Sequence, residues 1–530
     1  MAEVEYDAED TLDFDALLIA SDEEEQGTTE DEVDEVLRRT ESDGSEEEDS
    51  DNESTSSWSS DISPHDPWIF SGSCGPDDEV LSCQEPIDFF ELFLNDEILD
   101  LIVKETNRYG THCNEDFQET DSEEMRRFAG LCLQMGMVKL PRLRDYWSSR
   151  PGFGGHAVAS KIMARNRFEE LLKYLHLADN ENFDGDRLYK IKKFVQLFNE
   201  TAARLYSIGK EVCVDESLVP FRGRIVFRQY MPAKRHRYGI KLFKLCAKGG
   251  YTVRIKIYAG KDPSRHEPLA DQVVLELMEG FLDEGRIVCT DNFYSSVGLA
   301  EKLISRRSHL VGTLRRNRKG IPKEIKETKL KRGQLCCKQK RNGVLVLKWR
   351  DKRDLYVIST KHDATVGTSQ KPEVVDDYNE MKGFVDLSDQ MASYTPFVRR
   401  TMKWYKRIFF HLITQTAVVN AWKLYKDVVK NIRLNDFKVE AVESLLNVDQ
   451  SYTSSHHSHF MRHVLEEVSK GPKGINRRRC AEFYAAMSKE QGAAMASKKT
   501  KRVSTRCSKC RKFFCIDCFN KKHMSCRVET

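Results

Sequence analysis

Apolar residues recur at helical spacing from about residue 87 to residue 208: Phe89, Phe90, Leu92 and Phe93, then Ile98, Leu99 and Ile102, and later Met125, Phe128, Leu131, Leu133 and Met135. A period near 3.6 residues predicts an all-helical segment, and Asn95 and Asp121 stand where two of its N-caps belong. The pattern changes at Glu211. Val212, Val214 and Leu218 predict a strand, and residues 238–247 and 251–259 on either side of Gly249-Gly250 predict a hairpin. Residues 268–281 are amphipathic, 286–290 read as a short strand ending at Asp291, and 295–306 return to helix. Strand, hairpin, helix, strand and helix together make an α/β core. Residues 315–372 interrupt it with a basic stretch, a second hairpin (344–349 and 355–359 around Asp351-Lys352-Arg353) and a polar segment, which reads as an insertion. Helix resumes from Val375 to about Val429, and a Ser- and His-rich linker then leads to basic runs and a Cys-rich tail.

Charge adds an asymmetry that the pattern does not show. The chain has 84 basic and 84 acidic residues, but residues 1–66 hold 26 acidic residues against Arg38 and Arg39, a net of −24. The remainder carries 84 − 2 = 82 basic and 84 − 26 = 58 acidic residues, a net of +24. A basic body with an acidic tail suits binding of a polyanion, with nucleic acid foremost. Residues 1–85 are rich in Asp, Glu, Ser and Thr and poor in aliphatics, so they cannot bury enough apolar surface to order themselves. Ser21 and Ser45 each precede acidic runs, the context of an acid-directed kinase. No apolar run approaches a membrane span, and the N-terminal residues lack a secretory pattern, so a cytosolic or nuclear setting is expected. In that setting the fifteen cysteines read as thiols or metal ligands, not disulfides, and six of them fall after residue 479.

Candidate chemistry centres on carboxylates. Asp215 lies in the first core strand, Asp291 at the carboxyl end of a later one, and Asp386 and Asp389, spaced i, i+3, share a helix face after the insertion. A lone aspartate at a strand end is more often a turn or cap residue, and Asp291-Asn292 would serve as a cap for the following helix. The order strand Asp, strand Asp, helix Asp is harder to obtain by accident, and it is the arrangement of the RNase H-like fold. Carboxylates converging there repel one another unless cations neutralise them, which points to Mg²⁺ and two-metal phosphodiester chemistry.

Four blocks carry a family resemblance. Residues 214–224 (VDESLVPFRGR), 234–241 (KRHRYGIK), 289–296 (CTDNFYSS) and 382–391 (KGFVDLSDQM) resemble, in order and spacing, those of piggyBac-type transposases, and the likeness runs from about residue 86 to the C-terminus. The resemblance implies a cut-and-paste DNA transposase that cleaves transposon ends through hairpin intermediates and integrates at TTAA targets. It implies an RNase H-like core (211–314 and 375–395) with an insertion domain (315–374), flanked by a helical dimerisation and DNA-binding domain in two parts (86–210 and 396–445). The acidic tail (1–85), a linker (446–475) and a zinc-binding cysteine-rich domain (476–530) complete the chain. Asp215, Asp291 and Asp386 are the expected catalytic metal ligands for Mg²⁺ and Asp389 a further essential carboxylate, Asp386 being favoured over Asp389 as the direct ligand. A homodimer acting in the nucleus follows.

Basic residues with an aromatic among them supply candidates for holding DNA: Arg222 and Arg224 beside the first aspartate, Arg315, Arg316, Arg318 and Lys319 at the start of the insertion, and Arg399, Arg400, Lys403, Trp404, Lys406 and Arg407 after the last carboxylates. For each, a solvated face is the bland alternative, and for Trp404 it is the core.

The tail holds the strongest local metal signal, Cys507-x2-Cys510-x4-Cys515-x2-Cys518-x4-His523-x2-Cys526. Paired ligands two residues apart bite tetrahedral Zn²⁺, and so short a segment lacks the core to fold without metal. Interleaved pairing puts Cys507, Cys510, His523 and Cys526 on one ion and leaves Cys515 and Cys518 for a second. The family usually offers a Cys-x2-Cys upstream for that second ion; here Cys480 matches and Phe483 takes the other place, so either another residue or water completes the second zinc site or the ion is weakly held. Such tails recognise transposon-end DNA in this family, and a protein-binding cross-brace is the alternative. Lys498-Lys499-Thr500-Lys501-Arg502 is a candidate nuclear import signal. The rival to an active transposase is a host-domesticated relic that binds DNA or chromatin without cutting it.

Overall fold

The computed structural model describes residues 58–62, 68–153, 158–232, 234, 236–260, 267–397, 401, 403–446, 465–468, 477–507 and 512–524. The chain divides into two compact units, Met1–Asn447 and Val448–Thr530. The expected phosphorylation sites and most of the acidic tail lie outside the described residues.

The helical periodicity of residues 87–208 becomes α1 (Pro86–Glu91), α2 (Asp96–Cys113), α3 (Ser122–Met137), α4 (Arg165–Tyr174) and α5 (Tyr189–Leu205). Pro86 starts α1 at a position where its missing N–H costs nothing. Asn95 caps α2 by accepting from the Ile98 N–H at 3.0 Å, and Asp121 caps α3 by accepting from Glu124 at 2.8 Å. Their apolar stripes close against the late helices of the unit: Phe89 meets Tyr425 edge-on at 5.3 Å, and Phe128 lies 6.4 Å from Phe410.

The sheet is built from β1 (Trp58–Ser59), β2 (Glu211–Pro220), β3 (Gln229–Tyr230), β4 (Tyr238–Ala247), β5 (Tyr251–Ile257), β6 (Ile287–Thr290), β7 (His309–Leu314), β8 (Leu335–Lys340), β9 (Leu345–Arg350) and β10 (Asp354–Ser359). Its order is β1-β8-β9-β10-β7-β6-β2-β4-β3, with β5 also paired to β4. β2, β6 and β7 run parallel, and β6 is buried along its whole length, as a central strand covered on both faces must be. Gly249 and Gly250, at φ +85 and +82, turn β4 into β5 through a conformation other residues resist.

Two features differ from the sequence reading. The segment expected as an insertion continues the central sheet, because β10 pairs antiparallel with β7 and carries β9 and β8 outward. The acidic segment before residue 85 is ordered in part. Trp58–Ser59 add an edge strand to β8, Trp68 lies 4.9 Å from the His309 ring, and Asp77 caps a short helix, Asp78–Leu81. A few aromatic side chains suffice for this local burial, which average composition conceals.

After the sheet come α6 (Leu269–Met278) and α7 (Val297–Ser305) from its middle connections, then α8 (Glu373–Met381), α9 (Phe384–Ala392), α10 (Trp404–His411), α11 (Ala417–Val428) and α12 (Leu434–Leu445). In the second unit Leu465–Glu467 pairs with Thr505–Cys507 and Arg478–Arg479 with Arg502–Val503, around a small core of Cys480, Cys507 and Phe514. Among the described residues no helix is long and apolar enough to cross a membrane.

Candidate active site

Asp215 sits in the middle of β2 and Asp291 directly after β6. Since Val214 pairs in parallel with Thr290, the two aspartates follow side by side on adjacent strands. Each is half-buried and bonded to local backbone: Asp215 Oδ1 accepts from the Glu216 N–H at 2.7 Å, Asp291 Oδ1 from the Phe293 N–H at 2.8 Å. Asp291 therefore shapes its own turn. The cap of α7 is Ser296, which accepts from the Leu299 N–H at 2.9 Å.

Burial pushes the Asp215 carboxyl up to about 8, with the Glu216 and Asp291 carboxylates adding to the rise. Asp291 is raised as well, by burial first and then by Glu216. Glu216 is thus a third acid at this edge of the sheet, and its Oε2 accepts from the Tyr294 hydroxyl at 3.4 Å. Lys241 faces the same acids while lying 4.5 Å from the Phe293 ring, and burial lowers its pKa despite them. The sequence reading took neither Glu216 nor Lys241 as a site residue. Both stand inside motif blocks, and the β2–β4 register sets them on one face of the sheet, with Lys241 opposite Leu218 and Glu216 two residues before Leu218.

The arrangement fits a divalent cation by its donor chemistry. Raised, mutually repelling carboxylates are groups whose protons a hard cation displaces, and oxygen donors are what Mg²⁺ selects. α9 carries the remaining two aspartates. Asp386 is exposed on its flank. Asp389 faces inward: its Oδ1 accepts from Lys244 Nζ at 2.7 Å and from Ser217 Oγ at 2.9 Å.

The candidate DNA-holding residues separate into two kinds. Arg222 and Arg224 are exposed in the turn after β2, and Arg316 and Lys319 are exposed after β7. Arg315, also exposed, donates to Asn292 Oδ1 at 3.1 Å. Arg318 is instead a brace, donating to the carbonyls of Asn292 (2.6 Å) and Phe293 (2.8 Å) and so holding the turn behind Asp291. Trp404 is buried, edge-on to Phe227 at 5.2 Å, so its faces are taken by protein. Lys406 is buried and spends its ammonium on the Leu172 and Lys173 carbonyls at the end of α4, at 3.1 and 2.7 Å. Arg407 donates to the Pro220 carbonyl at 2.8 Å, and burial brings its pKa down to about 10. Lys406 and Arg407 tie α10 to α4 and to the end of β2; buried polar groups must be paired, and the partners of these two are backbone. Lys403 is half-buried at the start of α10, and Arg399 and Arg400 lie outside the described residues.

In the second unit, Cys480, Cys515 and Cys518 bring their sulfurs within 4.8 Å of one another, with Cys480 and Cys515 3.8 Å apart. A tetrahedral ion with Zn–S bonds near 2.3 Å sets its sulfurs about 3.8 Å apart, so these thiols fit three corners of such a site. Phe483, at the position where a fourth thiol is expected, is 44% exposed on the helix Ala481–Gln491. Cys507 is buried in the adjacent core. Cys510, Cys526 and the side chain of His523 lie outside the described residues, and with them the other zinc site.

The family profile described as Transposase IS4 matches residues 85–422. Human PiggyBac transposable element-derived protein 3 is 28% identical over 489 residues, spanning 86% of this chain and 77% of that protein. Human PiggyBac transposable element-derived protein 2 is 28% identical over 380 residues, spanning 66% of this chain and 63% of that one. Among solved structures, the cryo-EM structure of a piggyBac transposase synaptic complex with hairpin DNA superposes with a TM-score of 0.65 at 23% identity, covering 84% of this chain and 98% of that chain.

Proposed function

We propose, from the premise that this chain belongs to the piggyBac transposase family, that it is a metal-dependent DNA transposase acting at the edge of the central sheet. The observation that carries this reading is the pairing of Asp215 and Asp291 on adjacent parallel strands, with both carboxyls raised first by burial and then by the charge of Glu216. Asp386, one helix away and exposed, is the third ligand in this reading, and the β2-β6-β7 core with its flanking helices is the RNase H-like unit.

When bound, two Mg²⁺ ions would activate a water or a 3′-hydroxyl and stabilise the departing oxyanion of an in-line phosphodiester displacement. The chain's own residues do the rest. Asp215, Asp291 and Asp386 would hold the ions. Arg318 fixes the turn that aims Asp291, and Arg222, Arg224, Arg315, Arg316 and Lys319 offer exposed cations for the phosphate backbone beside it. Hairpin intermediates, TTAA targets, a homodimer and a nuclear site of action follow in this reading from the family. So do kinase modification of the acidic tail and DNA recognition by a zinc-binding tail.

A second reading has its own support. The human relatives are named transposable element-derived proteins, and the replacement of a zinc thiol by Phe483 is the kind of loss a host-adopted DNA-binding relic tolerates. Purified full-length protein with Mg²⁺ and DNA bearing its cognate ends separates the two. The first reading expects cleavage that Asp215→Asn, Asp291→Asn or Asp386→Asn each reduces by about 100-fold or more. It also expects a Mg²⁺-dependent rise in Tm that Asp215→Asn abolishes. Tight DNA binding without cleavage by the unaltered protein would establish the second.

A further inference from the structure

α9 carries the two aspartates in different surroundings. Its inner stripe, Val385, Ser388, Asp389 and Ala392, follows the i, i+3, i+4, i+7 spacing of a packed helix face, and Asp386 lies off that stripe in solvent. Lys244, on β4, pairs in register with Asp215, so its side chain leaves the same face of the sheet as that of Asp215. That side chain is fully buried, and its ammonium lies 2.7 Å from Asp389 Oδ1, the oxygen to which Ser217 also donates. Burial alone would raise the Asp389 carboxyl. Lys244 and Ser217 outweigh burial and bring it below the ordinary range.

The helix is pinned at the neighbouring position too. Ser388 Oγ and Thr252 Oγ1 lie 2.9 Å apart, and the Asn420 side chain bonds both the N–H and the carbonyl of Thr252 at 2.8 Å. Gly250 lets the hairpin approach, since a Cβ there would stand 3.1 Å from the Ser388 nitrogen. His411, whose pKa burial brings down to about 3, also faces this pair, Arg407 in turn acts on His411, and the buried Cys246 thiol lies beside both charges.

We propose that Asp389 and the fully buried Lys244 form an ion pair that sets the position of α9 and so presents Asp386 to the acidic centre, with Asp389 itself touching no metal. Asp389 and Lys244 are then positioning residues, and this assignment rests on the functional reading above. A fully buried ammonium beside a carboxylate repels a dication that approaches the same carboxylate, so the pairing favours positioning over ligation. Removing one member of such a pair leaves an uncompensated buried charge, whereas removing both charges does not. That asymmetry supplies the test.

The full-length variants Lys244→Met, Asp389→Asn and Lys244→Met/Asp389→Asn are compared with the unaltered protein and Asp386→Asn. Thermal midpoint, DNA cleavage and affinity for Mn²⁺ at the site that Asp386→Asn removes are measured for each. Each single variant is expected to lose roughly 10- to 100-fold in Mn²⁺ affinity and to melt earlier, as loss of an outer partner does. The double variant is expected to recover most of both, because the amide introduced in place of the Asp389 carboxylate still accepts from Ser217 and no lone charge remains. Ser217→Ala, a milder change that leaves both charges in place, is expected to weaken Mn²⁺ binding a few-fold with the fold intact. It decides the matter should a single variant fail to fold, and unchanged affinity there would count against the proposal. Equal loss in Asp389→Asn and in the double variant, with Lys244→Met binding as tightly as the unaltered protein, would make Asp389 a ligand and overturn it. Should the unaltered protein bind no Mn²⁺ at this site, the functional reading itself fails. Mn²⁺ binding with the expected variant pattern but no cleavage would leave the pair standing and remove only the catalytic claim.

Discussion

A charged side chain acts according to its surroundings, and surroundings are what a linear sequence conceals most. Asp215 and Asp291 could be singled out as acids at strand positions, because an acid at the end of an apolar run is conspicuous. Lys406, Arg407 and Arg318 could not be told from phosphate-binding cations, since their carbonyl partners come from α4, from the end of β2 and from the turn after Asp291. Lys438 shows the same effect with a measurable consequence. Buried on α12, it donates to the Thr395 carbonyl and hydroxyl at 2.8 and 2.7 Å, and burial first, then Lys139, bring its pKa down to about 7. The unfolded chain keeps this proton to about pH 10.4, so between the two values the unfolded state binds more protons and folding stability rises with pH. Below about pH 7 the penalty is fully present. Urea unfolding of Lys438→Met at pH 7 and pH 9 should lack that increment, which has a ceiling of about 1.4 kcal/mol per pH unit. A variant whose pH profile parallels that of the unaltered protein would place the Lys438 pKa in its ordinary range.

Elements with strong periods were legible. The Gly249-Gly250 hairpin, the 345–359 hairpin, and the Asn95 and Asp121 caps stand where pattern and turn chemistry put them. β8 was not, because Leu-Cys-Cys-Lys-Gln-Lys lacks a clean alternation, and its pairing with β9 and Trp58–Ser59 is set by neighbours distant in sequence. In the second unit one substitution on one helix carries a prediction. Cys480 and Phe483 are three apart at the start of Ala481–Gln491, a spacing at which side chains share a face, and Cys480 already meets Cys515 at 3.8 Å. Phe483→Cys should therefore complete a four-thiolate site. Co²⁺-loaded full-length protein is expected to gain thiolate-to-metal charge-transfer absorbance and to release the ion to a chelator more slowly than the unaltered protein. Identical spectra and release rates would mean that residue 483 does not face the cluster.

At the scale of the whole molecule, the order of the blocks was legible while their assembly was not. Two stretches separated by β2–β10, α1–α5 and α10–α12, close one helical layer through contacts such as Phe89 with Tyr425, and periodicity cannot say which apolar stripe meets which. Charge, by contrast, is read directly from composition, and it bears on how the chain meets DNA. Residues 1–57 carry 24 acidic and 2 basic residues, so their removal takes 24 − 2 = 22 negative charges from a neutral protein and leaves the remainder at +22. Phosphate contacts release counterions, and a tethered polyanion competes with DNA for those cations most effectively when salt screens least. Deletion of residues 1–57 keeps the Trp58–Ser59 strand and is expected to tighten binding to nonspecific duplex by several-fold or more at about 50 mM salt, with the gain shrinking by about 200 mM. The salt slope of the truncated protein should be steeper than that of the full chain. Parallel slopes with equal affinities would show that the tail does not reach the cations that hold DNA, and the charge asymmetry would then be a matter of solubility alone.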